Sequence, residues 1–350
     1  MLPTDFTGLP ATIETEEELE ELMSTPPPGL IRLFSELDGD VMVLGVGGKM
    51  GTQLAGMARR AAEEAGAPRE VIGVSRFSTP GKREQLEAAG VRTIACDLLD
   101  RAAVAALPDA SNIIFMAGRK FGTSGSAELT WAMNTLLPAL VAERFPESRT
   151  VVFSTGNVYP LVPVTGGGAR ETDEPAPVGE YAITTLGRER VFEYYSKQNS
   201  TPVCLMRLNY AIDLRYGVLY DIGMKVRAGE TIDLTMGNAN VIWQGDAVAH
   251  ALYALTICAS PARILNVTGP EIMSIRWAAE TFAKLMGTEA RFVGEESGRA
   301  LIGNASDALG RFGYPRVPLQ KMVEWTAHWI EIGGPSLSKP THFETSDGSY

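Results

Sequence analysis

The fold is decided by the stretch Val41-Met42-Val43-Leu44-Gly45-Val46-Gly47-Gly48-Lys49-Met50-Gly51, in which a short apolar run leads directly into a glycine loop. A continuous apolar run is typical of a strand that is buried on both faces of a parallel sheet. The glycines follow the spacing GxxGxxG, which allows a tight turn and a close approach of the backbone to a pyrophosphate at the start of a helix. The stretch therefore predicts dinucleotide binding through Gly45, Gly48, Lys49, Met50 and Gly51, with a purely structural turn as the alternative.

Strand and helix patterns alternate through the first half of the chain. The predicted strands cover residues 41–46, 71–75, 92–96, 112–117 and 151–155, and predicted helices such as 54–65 and 83–89 lie between them. This alternation is typical of right-handed βαβ units. We therefore predict an α/β fold with a Rossmann-type, doubly wound parallel sheet over residues 40–210.

Three further segments complete the predicted organisation. Residues 1–39 predict a helical extension with a capping box at Thr15 and Glu18. It is either an arm packed on the domain edge or on a neighbouring subunit, or a partly mobile leader. Residues 211–332 mix helices with short strands and predict a smaller C-terminal α/β substrate-binding region, interlocked with the Rossmann domain. Residues 333–350 are rich in Ser, Pro and Gly, which predicts a flexible tail.

Composition limits the classes of function. The chain has 350 residues and a formal net charge of −11, with 31 Lys+Arg against 42 Asp+Glu. Such an acidic protein is a poor partner for nucleic acid or an anionic membrane. The three cysteines lie far apart and there are only three histidines, so we expect neither a disulfide framework nor a metal site. There is neither a membrane-spanning apolar run nor a signal-peptide pattern, and we expect a soluble, cytoplasmic protein.

The end of the second predicted strand bears on the choice of cofactor. A carboxylate at this point would accept a hydrogen bond from the adenosine ribose and repel a 2′-phosphate. The sequence instead reads Ser75-Arg76, and a hydroxyl next to an arginine suits a 2′-phosphate. We therefore favour NADP over NAD, the alternative being that Arg76 is a solvated surface charge.

Further motifs resemble the short-chain dehydrogenase/reductase superfamily, in its extended, epimerase/dehydratase-like branch. The resemblance covers residues from about 40 to 332, and it is carried by these segments in chain order: Asp97-Leu98, Met116-Ala117-Gly118, Asn134, Phe153-Ser154-Thr155-Gly156-Asn157-Val158-Tyr159, Tyr181, Arg207-Leu208-Asn209-Tyr210 and Gln244-Gly245-Asp246.

The resemblance implies roles for these residues. Asp97 and Leu98 would contact the adenine, and the remaining cofactor contacts would come from Met116, Ala117, Gly118, Asn134, Leu208 and Asn209. Thr155 would be the supporting catalytic hydroxyl, and Tyr181 would be the acid/base and also a cofactor contact. The substrate would be a small molecule, such as a sugar or a nucleotide-sugar.

The active-site pattern departs from the family at one position. The family places Tyr-x-x-x-Lys on one helix, and this chain reads Tyr181-Ala182-Ile183-Thr184-Thr185. The family lysine binds the nicotinamide ribose and favours the ionised tyrosine, whereas a free tyrosine titrates near ~10. Thr185 can replace a ribose contact but not the charge. We expect Arg188 to be too far away to substitute, and Arg119, Lys120 and Lys225 remain loop candidates.

Two functions therefore stay open. The first is an NAD(P)-dependent oxidoreductase or epimerase that acts on a sugar-like or polyol carbonyl, with Tyr181 and Thr155 as its hydroxyls. The second is a catalytically silent NADP-binding sensor or scaffold, in which Tyr181 lines a cleft without chemistry and Thr155 is a strand former. Gly156-Asn157 stands where the family's sugar 4,6-dehydratases carry two carboxylates, which argues against a dehydratase.

The resemblance also implies a homodimer. Extended members of the family pair through two helices, which correspond here to residues 127–144 and 180–197. The candidate contacts are Leu136, Phe192 and Tyr194. The alternative is that these side chains face the sheet.

Overall fold

The computed structural model describes residues 8–120, 125–338, 341 and 343–344. The elements of the first half are α1 (Glu16–Ser24), α2 (Pro28–Glu36), β1 (Val41–Leu44), α3 (Gly51–Glu64), β2 (Val71–Ser75), α4 (Lys82–Ala88), β3 (Arg92–Ala95), α5 (Arg101–Ala105), β4 (Asn112–Phe115), α6 (Ala127–Trp131), α7 (Leu137–Arg144) and β5 (Arg149–Thr155). A π-helical turn, Ala132–Leu136, joins α6 to α7.

The second half begins with a two-residue strand and the longest described helix. Its elements are β6 (Val162–Pro163), α8 (Gly179–Asn199), β7 (Val203–Leu208), β8 (Ala211–Ile212), α9 (Val218–Ala228), β9 (Thr231–Asp233), β10 (Asn238–Ala239), β11 (Ile242–Trp243), α10 (Gln244–Tyr253), β12 (Arg263–Val267), β13 (Met273–Ser274), α11 (Ile275–Met286), β14 (Arg291–Val293), β15 (Arg299–Ala300), α12 (Ser306–Phe312) and α13 (Leu319–Glu331).

The centre of the molecule is a seven-stranded sheet with the strand order β12-β7-β5-β4-β1-β2-β3. All neighbouring strands run parallel, and Val41 pairs with Val71 on one side and with Asn112 on the other. The predicted fold class, a Rossmann-type parallel sheet, is confirmed. Because the strand order reverses direction at β1 and β4, a crevice opens beyond the carboxyl ends of these two strands.

Two apolar layers cover the sheet, as the continuous hydrophobicity of its strands requires. Successive residues of β1 point to opposite faces. Val43 belongs to the apolar cluster that includes Leu54 of α3, and Met42 belongs to the cluster that includes Leu140 of α7. β12 lies in the predicted substrate-binding region and yet forms an outer strand of the sheet beside β7. The central sheet therefore includes strands from both predicted regions.

The N-terminal extension packs on the body of its own chain. The predicted capping box is present, since the Glu18 amide donates to Thr15 Oγ1 at 3.1 Å and the Glu18 carboxylate accepts from the Thr15 amide. Leu19 and Met23 of α1 are fully buried. Arg215, from the loop before α9, forms ion pairs with two glutamates of α1. Of the two alternatives for this segment, these contacts favour the packed arm.

The C-terminal segment also contacts the body, although the sequence predicted a flexible tail. Phe343 is 1% exposed and belongs to the apolar cluster around α9, α11 and α13. The Thr341 amide donates to the Asp221 carboxylate at 2.8 Å, and the Leu337 amide donates to the Arg215 carbonyl at 3.0 Å. The difference from the prediction has a simple cause, because one phenylalanine supplies enough apolar area to dock a polar segment.

No helix in the described ranges is long and apolar enough to cross a membrane. Within the same ranges, no cluster of three or more His, Cys, Asp or Glu side chains could hold a metal ion.

Candidate active site

An elongated cleft lies beyond the carboxyl ends of β1 and β4. It consists of two adjoining cavities, of about 280 and about 210 Å³, which share Gly45, Gly48, Met116 and Gly118 as lining residues. This is the crevice in which open α/β sheets bind their ligands. A two-part cleft joined at a glycine loop has the layout that a dinucleotide requires.

The glycine loop has no room for side chains at two points. Gly45 adopts a φ of +94°, and a Cβ atom there would lie 2.7 Å from the Ala117 nitrogen. A Cβ on Gly51 would lie 2.3 Å from the Val46 carbonyl oxygen. The loop is therefore tight, and α3 begins at Gly51 at the wall of the cleft, where the N-terminus of a helix favours an anionic group. These features fit a pyrophosphate.

The smaller cavity gathers the residues predicted for the adenosine end of the cofactor. Ser75, Arg76, Asp97 and Leu98 line it, together with Ala117. The Asp97 carboxylate accepts a hydrogen bond from the Leu99 amide at 3.0 Å, and Arg76 is exposed at the rim. Four residues predicted for the adenosine end therefore lie together in the structure.

The larger cavity gathers the two predicted catalytic hydroxyls. Tyr181 lies in the first turn of α8, and Thr155 ends β5; both line this cavity, as does Leu208. Thr155 Oγ1 donates to Asn157 Oδ1 at 3.0 Å and accepts from the Asn157 amide at 3.2 Å. The two hydroxyls therefore face one cavity, beside the glycine loop, where a substrate oxygen could reach them.

Three of the predicted cofactor contacts lie behind the cleft instead of lining it. The buried Thr185 side chain donates to the Tyr181 carbonyl at 2.7 Å, a bond that threonine readily makes to its own helix four residues back. Asn134 is buried between the loop after β4 and α8. Asn209 donates to Asn240 Oδ1 at 2.9 Å. The geometry does not support a direct cofactor contact for any of them.

Arg188 does reach the cleft, contrary to the expectation from its spacing. Its guanidinium donates to the Phe153 carbonyl and to Asn134 Oδ1, both at 2.7 Å, and it lines the same cavity as Tyr181. Helical side chains point toward the N-terminus, and seven residues are two turns on one face, so a long side chain can return toward Tyr181. Burial lowers the pKa of Arg188 to about 10, partly offset by the nearby Tyr181 and Glu189, and the group stays charged at neutral pH.

Lys120 reaches the cleft from the loop after β4. Its Nζ lies 5.8 Å from the centroid of the Tyr181 ring. Burial of the ammonium lowers the pKa of Lys120 to about 8, against the opposing influence of Asp221. Lys225, the third loop candidate, instead forms an ion pair with Glu344 and does not line the cavity.

The larger cavity is strongly cationic. Lys49, Arg119, Lys120 and Arg188 line it, and none of its described lining residues is an aspartate or a glutamate. Lys49 lies with its Nζ 3.5 Å from the ring centroid of Tyr216, another lining residue. In a chain of net charge −11, this concentration of positive charge favours an anionic ligand.

Sequence reasoning missed several lining residues. Arg188 could have been found, because it lies two turns after Tyr181 and therefore on the same face of α8. Tyr216 and Thr341 have no such local signal. Their positions at the cavity involve long-range contacts, namely the stacking of Lys49 on Tyr216 and the hydrogen bonds from Thr341 to Asp221.

The comparisons with known proteins agree with this architecture. Residues 41–212 match the model of the NAD dependent epimerase/dehydratase family. Over this segment, the predicted resemblance to the epimerase/dehydratase-like branch of the short-chain dehydrogenase/reductase superfamily is confirmed. A search of curated protein sequences finds no match.

Solved structures share the fold at low sequence identity. The chain is similar to UDP-glucuronic acid 4-epimerase from Bacillus cereus in complex with NAD, with 18% identity and a TM-score of 0.67, over 83% of this chain and 98% of that chain. It is also similar to the dTDP-glucose 4,6-dehydratase DesIV from Streptomyces venezuelae, with 18% identity and a TM-score of 0.69, over 83% and 97% of the two chains. A third similar structure is UDP-glucose 4-epimerase from Thermotoga maritima, with 16% identity and a TM-score of 0.67, over 83% and 98%.

Proposed function

We propose that this chain is an NAD(P)-dependent oxidoreductase or epimerase that transfers a hydride to or from a carbon of a sugar-like substrate, linked to a nucleotide. Tyr181 is the acid/base, and Thr155 is the supporting hydroxyl. The observation that carries the proposal is the joint presence of both hydroxyls and the glycine loop at one cationic cavity. The similar structures from Bacillus cereus and Thermotoga maritima act on UDP-sugars, as their names state.

The charge of the cleft supports a nucleotide-linked substrate over a free sugar or polyol. A nucleoside diphosphate brings negative charge that the four lining cations can accept, whereas a free polyol brings none. The cofactor adds a pyrophosphate at the glycine loop, next to Lys49.

The absence of carboxylates supports hydride transfer without elimination. A dehydration needs a second acid/base to move a proton from carbon, and the described lining of the larger cavity offers none beside Thr155. Thr155 is instead hydrogen-bonded to the neutral Asn157. An oxidation, a reduction or an epimerisation through a ketone needs one acid/base only, and Tyr181 suffices.

The chemistry assigned to the chain's own residues is limited to binding and proton movement. When the nicotinamide cofactor is bound, it accepts or returns the hydride. Tyr181 takes the proton of the substrate hydroxyl on oxidation and returns it to the carbonyl oxygen on reduction. Thr155 orients that oxygen by a hydrogen bond. Ser75 and Arg76 hold the adenosine end, and their character favours NADP over NAD.

One observation favours the second candidate, a catalytically silent NADP-binding sensor or scaffold. Thr185 bonds to its own helix and brings no charge to the site of the family lysine. In that case the chain would bind the dinucleotide, and Tyr181 would only line the cleft.

The two candidates are separated by one assay. The native chain is incubated with NAD or NADP and with UDP-glucose, UDP-glucuronic acid or dTDP-glucose, with free glucose and sorbitol as controls. Nicotinamide absorbance reports net oxidation, and chromatography of the sugar reports epimerisation. Turnover of a nucleotide-sugar supports the proposal. Dinucleotide binding by fluorescence, without turnover of any of these compounds, would support the silent module.

A further inference from the structure

The tyrosine helix lacks a cation at the position where the family carries one. Thr185 is 1% exposed, and its hydroxyl is already engaged with the Tyr181 carbonyl. A neutral group in this state cannot offset the negative charge that appears on a phenol oxygen when it gives up its proton. A positive charge for this purpose has to come from another residue.

Arg188 lies about one turn after Thr185 on α8 and places a positive charge at the larger cavity. Its two terminal nitrogens are fixed by the Phe153 carbonyl of β5 and by Asn134. Its Cζ lies 5.5 Å from the ring centroid of Phe115, and a Cβ on Gly118 would approach its Nη2 to 2.1 Å. The guanidinium is therefore held at one location, against the cavity wall that Tyr181 also lines.

The charge of Arg188 has no counter-ion in the part of the chain that the structure describes. Its hydrogen bonds there go to a carbonyl and an amide oxygen, while the adjacent Glu189 is taken by Arg207 at 2.7 Å. The Nε atom is buried and has no hydrogen-bond partner among the described residues. Burying a charge without a partner is unfavourable for folding, and such groups are concentrated at functional sites.

We propose that Arg188 is a positioning residue that supplies, from position 188, the positive charge which the family pattern places at position 185. The inference rests on the proposed function and deepens it. On oxidation, Tyr181 would take the proton of the substrate hydroxyl, and a bound nicotinamide would accept the hydride from the same carbon. Arg188 stabilises the negative phenol oxygen that must exist before this transfer, and it attracts the negatively charged dinucleotide.

The other charged and titratable groups around Tyr181 are compatible with this role. Lys120 faces the ring from the loop after β4, and Tyr216 and Asp221 interact electrostatically with Tyr181 and Lys120 respectively. Asn134 links Arg188 to the backbone of Arg119: its Oδ1 accepts from Arg188 and from the Arg119 amide, and its Nδ2 donates to the Arg119 carbonyl. Asn134 thus acts on the site through Arg188 instead of through the cofactor.

The test moves the charge back to the family position. The variants are Arg188→Met, Arg188→Lys and the double variant Thr185→Lys/Arg188→Met. Arg190→Met is the matched control, because Arg190 lies on the same helix but is exposed and pairs with Glu193. Circular dichroism establishes folding, fluorescence titration gives the dissociation constant of NADPH, and the rate of oxidation is measured on the best substrate of the nucleotide-sugar panel.

We expect Arg188→Met to weaken NADPH binding about fivefold or more and to lower kcat for oxidation about tenfold or more, as for the loss of one charge-assisted interaction. The double variant should recover most of both losses, although it cannot restore the hydrogen bonds to Phe153 and Asn134. A merely structural arginine would not be rescued in this way. If Arg188→Met does not fold, Arg188→Lys is the test: native-like binding and oxidation support the inference, whereas a folded Arg188→Lys with the losses expected above for Arg188→Met overturns it.

Arg188→Met behaving like Arg190→Met, with native affinity and rate, would overturn the inference while leaving the proposed function intact. A native chain that binds neither NADPH nor NADH would instead remove the proposed function, and this inference with it.

Discussion

Among single residues, Arg76 carries the proposed preference for NADP. It lies at the rim of the smaller cavity with Ser75, where a 2′-phosphate of the adenosine ribose would meet both side chains. We expect Arg76→Ala to weaken NADPH binding about tenfold or more, equivalent to ~1.5–3 kcal/mol, while NADH binding changes little. Fluorescence titration measures both constants. Arg92→Ala, an exposed arginine outside the cleft that pairs with Glu70, is the control. Equal losses for the two cofactors would contradict the assignment.

Lys120 gives a prediction about stability and pH. Its pKa is lowered by burial from 10.5 to about 8, so between these values the unfolded state binds the proton and the folded state does not. The free energy of unfolding of the native chain should therefore rise with pH across this window. Below pH 8 the folded chain bears the full cost of burying the ammonium. Because part of the side chain is exposed, we expect Lys120→Met to raise the free energy of unfolding at pH 7 by about 1–3 kcal/mol.

Urea unfolding at pH 7 and pH 9.5 checks this expectation. The difference in free energy of unfolding between Lys120→Met and the native chain should shrink at the higher pH, because Lys120 of the folded native chain is then uncharged. A variant that is less stable than the native chain at pH 7 would show that Lys120 is held by favourable contacts that outweigh its desolvation.

Sequence reasoning at the residue scale worked where function depends on local geometry. Gly45, Gly48 and Gly51 define a turn within seven residues, and the structure places all three at the cleft. The expectations for Thr185 as a ribose contact and for Arg188 as too distant differ from the structure. Spacing along a helix does not show whether a hydroxyl bonds to its own backbone or how far a long side chain extends. Those outcomes depend on Phe153 and Asn134, which come from other elements.

Among the elements, α8 carries Tyr181 and Arg188 and is tied to the sheet by a buried ion pair. Glu189 accepts from Arg207 of β7 through both oxygens, at 2.9 and 2.7 Å, and also from the Ser154 hydroxyl of β5. Neither side chain of the pair is more than 1% exposed. The pair therefore sets the position of the helix that presents Tyr181 to the cleft.

We expect Glu189→Gln to lower the free energy of unfolding by about 3–5 kcal/mol, because it leaves the Arg207 charge buried without a partner. The double variant Glu189→Leu/Arg207→Met should be closer to the native chain, since neither charge is then buried. Urea unfolding of the three proteins measures the difference. A single variant as stable as the native chain would show that the pair is not what holds α8 in place.

The elements themselves were predictable because their signals are local. The strands over residues 41–46 and 112–117 were each predicted two residues too long, since the apolar run continues into the cleft loops after Leu44 and Phe115. The docking of α1 and of the C-terminal segment was not predictable. It depends on pairs such as Arg215 with Glu20, which are separated by most of the chain.

At the scale of the whole molecule, an apolar face is exposed on α6, α8 and the π-helical turn. Tyr194 is 61% exposed and Leu136 is 53% exposed, whereas Phe192 is buried with its ring centroid 5.2 Å from that of Phe115. Of the three predicted dimer contacts, Phe192 is therefore wrong, because it packs toward the sheet. The other two are available to a second copy of the chain.

We expect light scattering at micromolar concentration to give a mass of about twice 37.7 kDa for the native chain. Leu136→Arg should shift the mass toward the monomer, because it places a charge within the apolar face. Leu285→Arg, at an exposed leucine of α11 away from this face, is the control. A native mass near 37.7 kDa would reject the dimer.

The substitution Tyr181→Phe decides whether Tyr181 is the acid/base of an enzyme. The rate of nucleotide-sugar oxidation or epimerisation is measured for the native chain, for Tyr181→Phe and for Tyr194→Phe, an exposed tyrosine of the same helix. We expect a loss of about a hundredfold or more for Tyr181→Phe alone, with NADPH affinity within about threefold of native, since only the proton transfer is removed. Turnover by Tyr181→Phe at the native rate would show that Tyr181 is not the acid/base.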